Sequence, residues 1–256
     1  MAEVAQGAAA ASAVVTLNNV SKRFETSSGT VQALKDIQQS IQPGEFVGIV
    51  GPSGCGKSTL LRILCGLEKP TEGAVVWGKG EEPRMGVAFQ DHRLLPWLNI
   101  EQNIALTKLM RGKASSADLE QARALCKLVG LTGFEKRSPS ELSGGMKQRT
   151  SVARALFTQP ELLLLDEPFG ALDALTREQI TADTEEIWMN KGFAALLITH
   201  SISEAVHLSD RVIVMSARPG RVVAEFKIDL PRPRTNELGS PEFAKLCSDI
   251  RAKLEL

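Results

Sequence analysis

EFVGIVGPSGCGKSTLLRILC, residues 45 to 65, carries the strongest structural signal in the chain. A near-continuous apolar run, Phe46 to Val50, enters a glycine-rich turn, and an apolar pattern at helical spacing leaves it. An unalternating run of that kind is expected of a strand buried on both faces, as in a parallel sheet under helices. The turn matches GxxxxGK[ST], a loop that cradles phosphate when it joins a strand to a helix. Gly51, Gly54 and Gly56 permit the tight path, through Pro52, Ser53 and Cys55, that turns successive N–H groups toward phosphate oxygens, and the following helix adds its positive end. Lys57 is expected to reach the β- and γ-phosphates of a nucleotide and Ser58 to ligate Mg²⁺, with Thr59 closing the motif.

Three further runs read as strands of the same kind: ELLLLD at 161–166, FAALLIT at 193–199 and DRVIVM at 210–215. The first ends in Asp166 and Glu167, at the C-terminal edge where ligands of open α/β sheets gather. Acids in that place are often helix caps, but beside a phosphate loop Asp166 suits the Mg²⁺ shell and Glu167 suits a general base that orients water. His200 ends the second run, where it would donate to the γ-phosphate. Gln90 ends GVAFQ in the same manner, its amide placed to touch Mg²⁺ or the attacking water. A lone histidine or glutamine is a weak signal; the shared strand-end position is what strengthens it.

VVTLNNVSKRF and VQALKDIQQSI, joined by the polar ETSSGT, read with AVVWGKG as a small antiparallel sheet. Between Asp91 and Phe157 lie helical patterns and no convincing strand; in ADLEQARALCKLV, for instance, Leu119, Ala122, Cys126 and Val129 recur at helix spacing. The stretch is therefore expected to be a helical insertion in the α/β core. RVVAEFKIDL reads as a hairpin strand after the turn ARPG, followed by the proline-broken PRPRT. LSGGMKQR, residues 142–149, sets a serine and two glycines at the head of a helix, a second arrangement suited to phosphate in a chain that already has one.

The 256 residues are 43% hydrophobic, enough for one large domain, and Lys plus Arg balance Asp plus Glu at 30 each. A neutral balance disfavours a nucleic-acid partner. No apolar run approaches the ~20 residues that a membrane-spanning helix needs. The four cysteines form no CxxC pair, and His200 with His207 lacks a third ligand nearby, so neither a zinc site nor a disulfide framework is expected. Residues 1–13, without a basic start, read as a disordered lead rather than a signal peptide.

Taken together, the motifs resemble those of the nucleotide-binding subunit of an ABC transporter, from about Val14 to Pro233. GPSGCGKST is similar to the family's Walker A, Gln90 to its Q-loop, LSGGMKQR to its signature, LLLLDEP to its Walker B, ALD at 171–173 to its D-loop and His200 to its switch histidine. The resemblance implies a P-loop NTPase core with a mainly parallel sheet. Residues 14–256 would form a single ATPase domain, with 14–90 and 158–256 as the core carrying the antiparallel subdomain and 91–157 as the helical subdomain. It also implies ATP and Mg²⁺, and a second copy packed head to tail whose Ser143, Gly144 and Gly145 close over the first copy's ATP. Asp173 would lie at that interface, and Phe24 falls near the family's adenine-stacking aromatic, often a tyrosine, which this chain lacks altogether. Leu94, Leu95, Trp97 and Leu98 fall where the family docks a transmembrane permease on the cytoplasmic face of the bacterial inner membrane. QDHRLLPWLN, PFGALDALTREQ, THSISEAVHLSDRVIVM and IDLPRPR are similar to ATPases of nitrate, sulfonate and taurine importers, which work with a solute-binding protein.

Three other readings compete. A P-loop kinase should carry an acceptor pocket and lid arginines in place of LSGGMKQR. A DNA-associated ABC ATPase usually separates its motifs by a long coiled coil or a zinc-bearing insertion, and an exporter subunit would share the same ATP chemistry.

Overall fold

The structure is a computed structural model that describes residues 13–27, 29–170 and 172–255. The expected disordered lead lies outside these residues except for Ala13, which is buried. The chain divides into two compact units, Met1–Pro83 with Gly192–Leu256, and Arg84–Lys191.

In chain order the first unit begins with strands β1 (Val15–Thr26), β2 (Gly29–Ile41) and β3 (Phe46–Val50), helix α1 (Lys57–Leu64) and strand β4 (Glu72–Trp77). The second unit holds β5 (Met85–Ala88), α2 (Ile100–Ile104), α3 (Leu106–Leu109), α4 (Ser116–Leu128), α5 (Gly144–Phe157), β6 (Leu162–Asp166) and α6 (Ala174–Lys191). The first unit resumes with β7 (Ala194–Ile198), α7 (Ile202–Leu208), β8 (Arg211–Met215), β9 (Val222–Lys227) and α8 (Pro241–Leu254).

Within the first unit, β3 lies between β7 and β8, parallel to both, and β9 returns antiparallel along β8. Every residue of β3 and β7 is buried, which is why their sequences do not alternate. β1 pairs antiparallel with β2 on one side and β4 on the other, forming the expected small sheet. α7 and α8 pack with β8 and β9 around Val206, Val212, Phe243 and Ile250, so residues beyond the hairpin strand join the core.

The second unit pairs β5 parallel with β6, in register from Met85 opposite Leu162. Ile104, Ala122, Cys126, Leu131 and Phe157 form the heart of its helical core. Burial pushes the Cys126 thiol up to about 12, as befits a structural cysteine rather than a reactive one. Residues 91–157 hold helices and no strand among the described residues. The compact unit is wider than that stretch because α5 packs on β5 and β5 pairs with β6.

Candidate nucleotide site

In the first unit, β3 feeds the glycine loop directly into α1. Gly56 precedes the helix with φ of 109°, a conformation that favours glycine. A Cβ there would stand 2.7 Å from Leu34 Cδ2 and 2.8 Å from the Ala33 carbonyl oxygen, so β2 also demands the absence of a side chain. No side chain caps α1. Lys57 is buried, and its Nζ donates to Gly51 O at 2.7 Å and Pro52 O at 3.1 Å. The Cys55 thiol, 3.9 Å away, is the weak third partner, one that a phosphate oxygen would outcompete. Ser53 and Gly54 are exposed, while Ser58 and Thr59 are half-buried on the first turn of α1.

The turn after β8 underlies this loop. Gly220 N donates to Ala33 O at 2.9 Å, and Lys35 N donates to Gly220 O at 3.0 Å. A Cβ on Gly220 would fall 2.0 Å from the Cys55 carbonyl oxygen. Arg218 meanwhile donates through Nη2 to Gly54 O at 3.2 Å. The same unit carries His200, exposed at the end of β7, which is β3's direct neighbour. Phe24 is half-buried on β1, with the Lys22 ammonium 4.8 Å from its ring centre and the same ammonium paired with Glu68 at 2.6 Å. One face of that aromatic is therefore held by a cation.

In the second unit, β6 ends at buried Asp166, and Glu167 follows with φ of 46°. That left-handed conformation is uncommon for a side chain of this size and turns the chain sharply after the strand. Gln90, two residues beyond β5, donates from Nε2 to Glu167 Oε2 at 3.3 Å. The two strand-end residues expected from sequence to share chemistry thus meet. Ser143 caps α5, its Oγ accepting from Met146 N at 3.3 Å, and Ser143 and Gly144 are exposed at the helix start. Asp173 accepts from Thr176 N at 3.0 Å, and hydrogen bonds from Thr176 hold its carboxyl below the usual range.

Sequence reading missed the side chains that tie α5 to the segment after β5. Gln148 Nε2 donates to Phe89 O at 3.4 Å, and Arg154 donates to His92 O at 2.6 Å and Arg93 O at 2.9 Å. The helix that begins at LSGG therefore also holds the backbone on both sides of Gln90. Burial, followed by the charge of Arg93, lowers the Arg154 pKa. Just downstream, fully buried Asn103 accepts from Leu95 N at 2.8 Å and donates to the carbonyls of Leu95, Leu98 and Asn99 at 3.0–3.1 Å. This pins the Leu94–Leu98 loop so that Trp97 stands 74% exposed while the three leucines are half-buried. No sequence signal marks these residues, because their partners are main-chain atoms.

A family model described as ABC transporter matches residues 34–170. The chain is 44% identical over 230 residues to the aliphatic sulfonates import ATP-binding protein SsuB of a Bacillus cereus strain, covering 87% of this chain and 90% of that protein. It is 45% identical over 222 residues to an uncharacterized ABC transporter ATP-binding protein of Methanocaldococcus jannaschii, covering 85% and 83% of the two chains. Among solved structures it resembles the dimeric bacterial ABC transporter cassette MJ0796, with a TM-score of 0.76 and 33% identity over 85% of this chain and all of that one. A post-hydrolysis state of the same cassette bound to ADP and Pi matches with a TM-score of 0.75.

Proposed function

This chain belongs to the ABC transporter ATPases, and on that footing we propose that it powers import of an alkanesulfonate or a related small oxyanion. ATP binding and hydrolysis are the activity of the family, and the observation that carries the reading here is the folded glycine loop with Lys57 turned into it. In this proposal the N–H groups of the loop and the Lys57 ammonium hold the phosphates, with the weak thiol contact of Lys57 exchanged for a phosphate oxygen. His200 donates to the terminal phosphate, and Phe24 offers its remaining face to the adenine.

Glu167 is the proposed general base, with Gln90 orienting it through the amide contact. Because Gln90 presents Nε2 to Glu167, its Oε1 is the acceptor left for a hard cation. The other donors proposed for that cation are the Asp166 carboxylate in the second unit and the Ser58 hydroxyl in the first, each an oxygen of the hard type that Mg²⁺ takes. When bound, Mg²⁺ neutralises charge that develops on the transferred phosphoryl group. Ser143, Gly144 and Gly145 in turn serve the nucleotide of a second copy, in keeping with the dimeric cassette that the chain resembles.

The partners in this reading are a second copy, a membrane permease docked at Trp97, and a solute-binding protein that delivers the cargo. No helix among the described residues is long and apolar enough to cross a membrane, so attachment to the cytoplasmic face would be peripheral. The test is genetic and biochemical together. A strain lacking the gene should lose growth on an alkanesulfonate as sole sulfur source, and the Lys57→Ala form should fail to restore it. Undiminished growth on sulfonates would overturn the solute, and undiminished ATP hydrolysis by Lys57→Ala would overturn the phosphate reading.

A further inference from the structure

His200 stands directly before α7, and both ends of that short helix are tied down. At its start, Thr199 is buried and its Oγ1 donates to Glu204 Oε2 at 2.6 Å. The same hydroxyl oxygen accepts from Ser201 N at 3.0 Å, and Ser201 Oγ accepts from Glu204 N at 3.3 Å. The residues flanking His200 are thus closed into a small ring through one buried glutamate, itself only 6% exposed. Thr199 N also donates to Ile49 O at 3.2 Å, inside the strand that feeds the phosphate loop.

At the other end, Arg234 is 1% exposed. Its guanidinium donates to the carbonyls of Val206 at 3.0 Å, His207 at 3.3 Å and Ser209 at 2.5 Å, which terminate α7. Further bonds reach Ile228 O at 3.0 Å and Leu230 O at 3.3 Å. A cation there is favoured by the negative end of the helix, and the planar fork satisfies carbonyls that α7 leaves unpaired. Arg232 beside it donates to Leu208 O and to Asp210 Oδ1, both at 2.8 Å, while Asp210 Oδ2 accepts from Phe46 N at 2.9 Å at the start of β3. The arm that follows β9 therefore grips the helix that begins just after His200 and, through Asp210, the phosphate-loop strand.

We propose that Glu204 and Arg234 are positioning residues for His200: by fixing the two ends of α7 they set where the imidazole stands, and residues 228–255 are thereby part of the hydrolytic apparatus without touching nucleotide. The inference rests on the reading of His200 as a phosphate contact. A displacement of about 1 Å in a catalytic group costs on the order of a hundredfold in rate, so hydrogen bonds remote from the nucleotide are enough to matter.

The chain has three histidines, so imidazole NMR can follow His200 individually in the full-length protein with MgATP. Thr199→Val removes the donor to Glu204 at nearly constant volume, and Arg234→Lys keeps the charge but loses the fork. Both should leave ATP affinity within about twofold, lower turnover roughly ten- to a hundredfold and abolish the ATP-dependent shift of the His200 resonance. In a His200→Ala background neither should lower turnover further. If the wild-type His200 resonance ignores ATP, the reading of His200 itself fails. If it responds, but the variants leave turnover unchanged or add fully to His200→Ala, the positioning role fails and the arm is structural only. Should Arg234→Lys not fold by circular dichroism, Phe243→Leu, which loosens α8 in the cluster shared with Val206, makes the same comparison.

Discussion

Glu167 combines two demands that pull in different directions. Its φ of 46° is costly for any side chain bearing a Cβ, by roughly 1–2 kcal/mol, yet its carboxylate is the group proposed to activate water. A glutamine there bears the same backbone cost and keeps an oxygen to accept from Gln90, so it isolates the chemistry from the fold. Glu167→Gln is accordingly expected to keep ATP binding and thermal stability while slowing turnover by about two to four orders of magnitude. Phosphate release and nucleotide titration, run side by side, check this; near-normal release would remove the general-base role.

Among the elements of the second unit, two features can be separated from ATP chemistry. Trp97 is held outward by a loop that Asn103 anchors, and its side chain supports little else. Trp97→Ala should leave the melting temperature and basal ATP hydrolysis nearly unchanged but weaken co-purification with the permease, and full retention of the permease would refute the docking role. α2 carries a different load. Glu101 is 2% exposed and bonded by Arg123 at 2.8 Å and by Lys136. Burial works to raise its pKa, but hydrogen bonds from Lys136 and then Arg123 prevail and the pKa is lowered. A lowered folded-state value means that the stabilisation is present above the unfolded pKa, near 4.5, and is lost as pH falls through the folded one. Glu101→Gln should therefore cost about 1–2 kcal/mol at pH 7, and the gap between variant and wild type should close in melts run progressively below pH 4.5. A gap that persisted in acid would show that charge is not what Glu101 contributes.

The molecule as a whole is proposed to work as a pair, since LSGG offers donors that its own phosphate loop does not need. ATP then favours the closed pair only to the extent that it makes contacts there which ADP does not. Glu167→Gln with ATP should elute as a dimer, because the closed state is no longer emptied by hydrolysis. Adding Ser143→Arg, which sets a bulky cation where the terminal phosphate is to be gripped, should return it to monomer without loss of single-copy ATP affinity. Size-exclusion chromatography in ATP and in ADP reads both outcomes, and a dimer that survives Ser143→Arg would remove the signature from the interface.

Residue order alone was enough to locate the buried strands and to name candidate residues at their ends. β3, β6, β7 and β8 are uninterrupted apolar runs, and GPSGCGKST demands its own backbone path, so both are written in residue identity. The helical stretch was equally legible from its spacing. How those ends are held emerges only in the folded chain: Gln148 and Arg154 on the backbone around Gln90, Asn103 under the Trp97 loop, Gly220 and Arg218 beneath the phosphate loop, Arg234 at the close of α7. These groups meet main-chain carbonyls and N–H groups, which nearly every residue carries alike. A sequence records which side chain does the holding but not which stretch of backbone it will meet, because only folding brings the two together.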